Sequence, residues 1–491
     1  MSEQTIEAPA IPASGAQRPG KSPTGGALGS RLRAHPWVIG TLALLAVSAL
    51  VILWAGTRPG FDPFGWIVWG RQTLHWNLDT NGAPSWKPLP YLFTVPYALV
   101  GHYELWLWIL TAVAGSLAAV VFAARIAYRL TGPTPERRYA AIAAAILAGL
   151  LVLGIRDYAH FILSSQSDTV IVALCLGAID CHLCGRFRIA FILLVLASLG
   201  RPEAWPFVGL YAFWLLHTAI RTWILIAAGL LSIPLLWFGI PALTAKSWFV
   251  AGNLALNSPR ALHENKITGV IDRFLDLHEL PVHLAALVAI AFAIGRRDRP
   301  TLVIAGAAFT WVVVEIAFAL HGWPAVPRYL FEPVAVVAVL AGVGVGQLAA
   351  ALPRLTRAPA LGPVAVSALL LATLVPSAQS RVKIEGLDLK HERARTVQIG
   401  RLRSIIAELG GAKRILACGQ PVTEVEFQSV LAWDMGLNVG ETGYQGRAVE
   451  KQGRPVVLIE PVGEGWKARA LHPTPAMTAR CAGMVARTSL T

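Results

Sequence analysis

Apolar windows of about 18 to 20 residues, the length that crosses a hydrocarbon slab of about 30 Å, recur along most of this chain. About eleven can be drawn, at 36–55, 103–130, 139–155, 168–184, 188–200, 204–220, 222–243, 280–295, 301–320, 329–350 and 363–378. A lipid-exposed backbone must satisfy its own polar groups, so such windows predict helices, and the chain reads as an α-helical polytopic membrane protein. Composition agrees: of 491 residues 55% are hydrophobic and only 14% charged, more apolar side chain than a soluble core of this size needs. The window at 188–200 is too short for a full crossing, which points to a tilted or broken span at Pro202.

Cytoplasmic loops hold the excess of Lys and Arg. With the N-terminus inside, the inner side receives Arg31 and Arg33, Arg137 and Arg138, Arg186 and Arg188, Arg221, the run Arg296 to Arg299, and Arg354 and Arg357. The net charge of +14 follows from that topology. No basic stripe is interleaved with stacking aromatics on a soluble face, so no nucleic acid is expected as partner. Residues 1–35 read as a disordered cytoplasmic tail, and the apolar segment behind them is too long for a cleaved signal.

Charge returns near residue 379, and 379–491 reads as a small extracytoplasmic α/β domain. Its expected elements are a helix at 391–409 ended by Gly410-Gly411, a strand Lys413 to Ala417, a helix at 423–435 and a strand Pro455 to Glu460. Cys418 and Cys481 lie on the oxidising side, where a disulfide between them is open to formation. Cys181 and Cys184 form a C-x-x-C without visible partners, and Gly342, Gly344 and Gly346 sit in an apolar span, which favours close helix packing over dinucleotide binding.

The first loop, 56–102, carries the densest chemistry. Asp62 lies about seven residues beyond the first span, where an acid can meet a lipid-linked substrate. Phe64 to Trp76, with Arg71 and His75 among its aromatics, predicts a helix lying flat in the membrane interface. Lys87 follows in Ser85-Trp86-Lys87-Pro88-Leu89-Pro90, where the prolines fix a cation suited to a phosphate. Ordinary aromatic-belt behaviour would also account for Trp86, Trp106 and Trp108.

A second acid, Asp168, opens the fourth window behind Ser164-Ser165-Gln166-Ser167 and near His160; an N-cap role would explain it as well. Arg201 and Glu203 interrupt an apolar stretch at Pro202, and Glu315 lies inside a window, a costly position for an ionisable group. Arg328, Tyr329 and Glu332 open the tenth window, where Arg328 suits a phosphate or an i,i+4 ion pair with Glu332.

The order and sidedness of these motifs resemble the GT-C superfamily of glycosyltransferases, nearest its protein O-mannosyltransferase and aminoarabinose transferase branch. The likeness covers 36–350; here Asp62 is followed by Pro63, and the lysine motif reads Lys-Pro-Leu-Pro. It implies a GT-C-like catalytic domain over 36–378 and an inverting transfer of a sugar from a polyprenyl-phosphate donor to a glycan, lipid or protein acceptor on the extracytoplasmic side of a bacterial plasma membrane. Carried over, Asp62 and Asp168 are catalytic acids, with Arg71, His75, Lys87, His160, Arg201, Glu203, Arg328, Tyr329 and Glu332 as substrate contacts. No cofactor is called for with certainty; a divalent cation, Mg or Mn, would fit between Asp62 and the phosphate. The competing readings are a transporter or lipid-linked flippase, disfavoured because the polar groups gather at one face without an internal repeat, and a non-catalytic cell-envelope scaffold. Deleting 380–491 is expected to spare the site of a transferase and to ruin a scaffold.

Overall fold

The computed structural model describes residues 36–82, 84–218, 222–263, 265–351, 360–444, 453–463, 465–471 and 481. The expected tail 1–35 and the inner-side residues Arg221, Arg354 and Arg357 lie outside them. The chain divides between Ala46 and Val47, inside helix α1 (Pro36–Ala55). In the first unit the opening turns of α1 expose Trp37, Val38, Ile39 and Leu42, as a lipid-facing helix does. Everything below concerns the second unit, 47–491.

Its helices are α2 (Phe61–Leu74), α3 (Pro88–Ala98), α4 (Glu104–Thr131), α5 (Arg138–Leu153), α6 (Tyr158–Leu163), α7 (Ser167–Leu183), α8 (Phe187–Gly200) and α9 (Trp205–Thr218). There follow α10 (Trp223–Pro234), a π-turn at Leu235–Gly239, α11 (Ile240–Thr244), α12 (Val250–Leu256) and α13 (Lys266–Leu275). Then come α14 (Leu280–Arg296), α15 (Arg299–Leu320), α16 (Phe331–Ala351), α17 (Leu361–Glu408), α18 (Gly411–Cys418) and α19 (Gln428–Met435). Each window drawn from the sequence falls on a helix. Among the described residues, however, six helices are long and apolar enough to cross a membrane, or seven if α13 and α14, bent by 93°, form one span. Helices α5, α7, α8 and α9 have 16, 17, 14 and 14 residues, short of a full crossing without bilayer thinning.

The innermost helix is α16, which packs on α4, α5, α7, α14 and α15. Its G-x-G-x-G is what lets it in. A Cβ on Gly344 would run into the carbonyl of Ala285, one on Gly342 into that of Ala144, and Gly346 faces Ala140 and Ala144. Small residues on both sides allow this backbone approach, the usual device for helix association in lipid. Gly344→Ala is therefore expected to destabilise the bundle by about 1–3 kcal/mol, read as a lower Tm in detergent. An unchanged Tm would mean that α14 and α16 can part without cost.

Helix α2 is covered by protein along most of its length. Residues Pro63 to Gly70 and Gln72 are buried, with Trp66 and Trp69 wholly enclosed. The sequence 61–74 is apolar around most of its circumference, which suits protein cover on several sides. Trp66 meets Trp108 edge-on at 5.2 Å, and Trp69 meets Trp86 at 5.0 Å. Trp86 and Trp108 are thus core residues, and only Trp106 of the three belt candidates is exposed.

Past residue 379 the composition changes but the backbone does not, because α17 runs unbroken for 48 residues. Gly410 and Gly411, both at positive φ, end it. The expected strand Lys413–Ala417 is helix α18 instead. Its inward positions Ile415 and Cys418 are three apart, a helical spacing that outweighs the short apolar run. The strand expected at Pro455 to Glu460 is β2 (Val456–Val462), flanked by β1 (Gln420–Val422) in parallel and β3 (Gly465–Leu471) antiparallel. Cys418 and Cys481 form a disulfide. The C-x-x-C holds no such pairing: Asp180 beside it takes Arg125 at 2.9 Å and Arg129 at 3.4 Å, a structural ion cluster.

Candidate functional site

Prolines and helix ends deliver ionisable groups to one place. Pro88 opens α3 and leaves Lys87 extended as its N-cap; Pro202 ends α8 and leaves Arg201 extended; Pro327 opens a short 3-10 turn that carries Arg328 and Tyr329 into α16. Asp168 sits in the first turn of α7.

Asp168 is fully buried and is the hub. Its Oδ1 pairs with the Arg201 guanidinium, stands 3.7 Å from Lys87 Nζ and 3.8 Å from Arg328 Nε. Lys87 Nζ also donates to Ser167 Oγ at 3.5 Å. Arg201, 2% exposed, also donates to Glu332 Oε1 at 3.0 Å and to the Arg328 carbonyl at 2.9 Å, and lies 4.4 Å over the Tyr329 ring. The Arg328–Glu332 pair considered from the sequence is therefore replaced by Arg201–Glu332. Arg328 is instead stationed over Phe161 and Tyr329, each 5.8 Å away, and Lys87 over Trp66 at 5.9 Å.

Exposure separates these cations. Lys87 and Arg328 keep 13% and 21% of their side-chain surface, whereas Arg201 keeps almost none. Arg201 is thus a strut between Asp168 and Glu332, while Lys87 and Arg328 keep more of their charged surface open. Burial pulls the Lys87 ammonium below its ordinary range against the attraction of Asp168, so an arriving anion restores what the ammonium lost. Asp62, half-buried in the first turn of α2, acts electrostatically on both Lys87 and Arg328.

Glu203 lies deeper, 1% exposed beside Arg201, and burial raises its pKa above the usual carboxylate range. Glu315 of α15, 0% exposed, acts on it electrostatically. Phe161 and Trp66, which floor the two exposed cations, were not singled out from the sequence, because aromatics at helix ends in such a chain carry no distinguishing pattern.

Three expected contacts stand elsewhere. Arg71 donates to the Trp433 carbonyl at 2.9 Å and lies 4.5 Å from the Trp433 ring, fastening α2 to α19. His75 is an exposed C-cap at the far end of α2 from Asp62, about 20 Å along the helix axis. His160 binds Asp388 of α17 at 2.6 Å. With Glu392 these two form the one set of three metal-ligating residues close enough to hold an ion among the described residues, their ligand atoms within 4.8 Å of one another; Arg395 already pairs with Glu392. No such set includes Asp62.

No family model matches the chain, and no curated protein matches it. Two crystal structures of ArnT from Cupriavidus metallidurans are similar in fold. The one bound to undecaprenyl phosphate is 14% identical, with 92% of this chain and 95% of that chain covered and a TM-score of 0.48. The apo structure is 15% identical, with 93% and 97% covered and a TM-score of 0.47.

Proposed function

We propose that the chain is an inverting glycosyltransferase that moves a sugar from a polyprenyl-phosphate donor to an acceptor on the extracytoplasmic side of a bacterial plasma membrane. The observation that carries this reading is the pair of partly exposed cations, Lys87 and Arg328, held on buried Asp168 with Asp62 in electrostatic reach. The motif likeness to GT-C enzymes gives the roles. The acceptor hydroxyl attacks the anomeric carbon and gives its proton to Asp62, while the bond from that carbon to the phosphate oxygen breaks and leaves its electron pair on the phosphate. Lys87 and Arg328 neutralise that leaving charge in a site largely closed to water. Asp168 then acts as the anchor that aims them, a change from the role of catalytic acid expected of it. A metal at Asp62 would supply Lewis-acid help to the phosphate, and no buried ligand set there requires one.

Eleven crossings, an inward N-terminus and an outward C-terminal region complete the proposal, on the basic loops that alternate along the sequence. Against a transporter, the ionisable groups gather where helices begin and end, away from their midpoints.

The test is transfer of labelled sugar from a polyprenyl-phosphate donor by the full chain in nanodiscs. Lys87→Ala should raise the KM for donor by at least about tenfold, the weight of one charge-assisted hydrogen bond, with a smaller change for acceptor. Equal KM values for donor in the two proteins would remove Lys87 from the phosphate site.

A further inference from the structure

Helix α13 is ten residues long and turns by 93° into α14 across residues 276–279. Its side chains divide into three sectors. At about 100° per residue, Ile267, Ile271 and Leu275 share one sector of about 80°, and Thr268 and Asp272 share the next. Val270 points opposite the polar sector and is wholly buried, where α13 packs on α15. Ile267, Ile271 and Leu275 are 46%, 39% and 44% exposed, so the apolar sector is left open. One edge in protein, one open and apolar and one polar is the division of a helix lying along a membrane surface. Helix α14 agrees. Its own open stripe, Leu280, Leu284, Leu287 and Ile294, runs its whole length, as on a helix facing lipid tails. A helix at right angles to one that enters the bilayer lies along its face, and the two stripes meet in sequence across the bend, at Leu275 and Leu280.

On the protein side of α13, Arg273 Nη1 donates to the carbonyls of Pro324 at 2.9 Å and Ala325 at 2.6 Å. Ala325 is fully buried and holds φ at 45°, in the left-handed region that a residue with a Cβ rarely takes. Such a backbone keeps its shape only where its surroundings hold it. The chain from there to the phosphate site is short and stiff. Val326 is extended before Pro327, the proline fixes its own φ, and the Tyr329 N–H donates back to the Val326 carbonyl at 2.9 Å. Arg328 therefore leaves this turn in a direction set at Ala325.

We propose that α13 lies in the membrane interface with Ile267, Ile271 and Leu275 among the phospholipid chains, and that from this seat Arg273 holds the Ala325 turn that aims Arg328. Arg273 is then a positioning residue for the phosphate site. The clamp rests on the glycosyltransferase reading for its ligand; the membrane seat does not.

Both parts are tested on the full chain in nanodiscs of phosphatidylethanolamine and phosphatidylglycerol. Benzoylphenylalanine in place of Ile271 should photo-cross-link to phospholipid, and in place of Asp272, about 100° further round, should not; Ile267 serves if the first variant does not fold. No lipid adduct at the apolar position, or equal yields at both positions, overturns the seat. Arg273→Ala should weaken binding of undecaprenyl phosphate by at least about tenfold, the weight of one charge-assisted hydrogen bond. Glu315 of α15 also attracts this guanidinium, so loss of affinity alone does not identify the clamp. Ala325→Gly does, because glycine takes a positive φ without strain and needs no clamp. Added to Arg273→Ala, it should recover most of the lost affinity. Wild-type affinity in Arg273→Ala, or no recovery in the double variant, overturns the clamp. If undecaprenyl phosphate binds no form of the protein, the glycosyltransferase reading falls. The clamp is then read from the Tyr329 amide, which should exchange its hydrogen faster in Arg273→Ala than in wild type; equal exchange overturns it.

Discussion

Asp62→Asn is expected to abolish transfer, by a factor of at least about a hundred in kcat, while the protein still inserts and still binds the donor lipid. The amide keeps the size of the carboxylate and loses its capacity to take a proton. Asp62 lies in the first turn of α2 and its charge acts on Lys87 and Arg328 without an ion pair to either, so the substitution leaves the Asp168 hub assembled. The measurement is initial rate with saturating donor, alongside donor affinity on the same preparation. Near-wild-type kcat would sink Asp62 as the acceptor's base. Loss of donor binding with loss of rate would move Asp62 from the acceptor to the phosphate.

Arg201→Ala carries the largest structural cost. It removes one guanidinium, strands Glu332 inside the protein and leaves Asp168 to Lys87 and Arg328 alone. Breaking a buried pair from one side costs about 3–5 kcal/mol, because the orphaned charge has no water to turn to. Thermal unfolding in detergent should therefore show a Tm well below that of wild type, and donor binding should fail because Asp168 no longer aims Lys87 and Arg328. Arg201→Lys keeps the charge but cannot bridge both acids and the Arg328 carbonyl at once, so partial recovery of Tm with poor donor binding is expected. A wild-type Tm for Arg201→Ala would show that the hub contributes nothing to stability.

Legibility in the sequence followed the cost of breaking an apolar pattern. Lys87, Asp168, Arg201 and Arg328 each sit beside a proline or a helix start at the edge of an apolar segment, and these residues converge. Their pairing was not legible, since Arg201 and Glu332 are 131 positions apart and a nearer partner, Arg328, was available to Glu332. Arg71, His75 and His160 looked like site residues because they share loops with Asp62 and Asp168. Sequence proximity does not survive a helix, which carries His75 away from Asp62 and turns Arg71 toward α19. The G-x-G-x-G of α16 read correctly because close packing needs only small residues at regular spacing.

Helix α17 binds the first loop with residues that ribosomes deliver long after it. Arg393 caps the end of α1 at the carbonyls of Trp54 and Ala55, at 2.8 and 2.7 Å, and Thr396 accepts from the Arg58 backbone N–H at 2.7 Å. The loop that presents Asp62 therefore waits, through the synthesis of more than three hundred residues, for its own fastening. Earlier helices can enter the membrane in order, yet the first loop is fastened only after α17 has been made. A chain cut at 380 would thus insert and remain idle even as a transferase, so truncation does not separate an enzyme from a scaffold; adding the missing segment back as a separate polypeptide, and watching for activity to return, does.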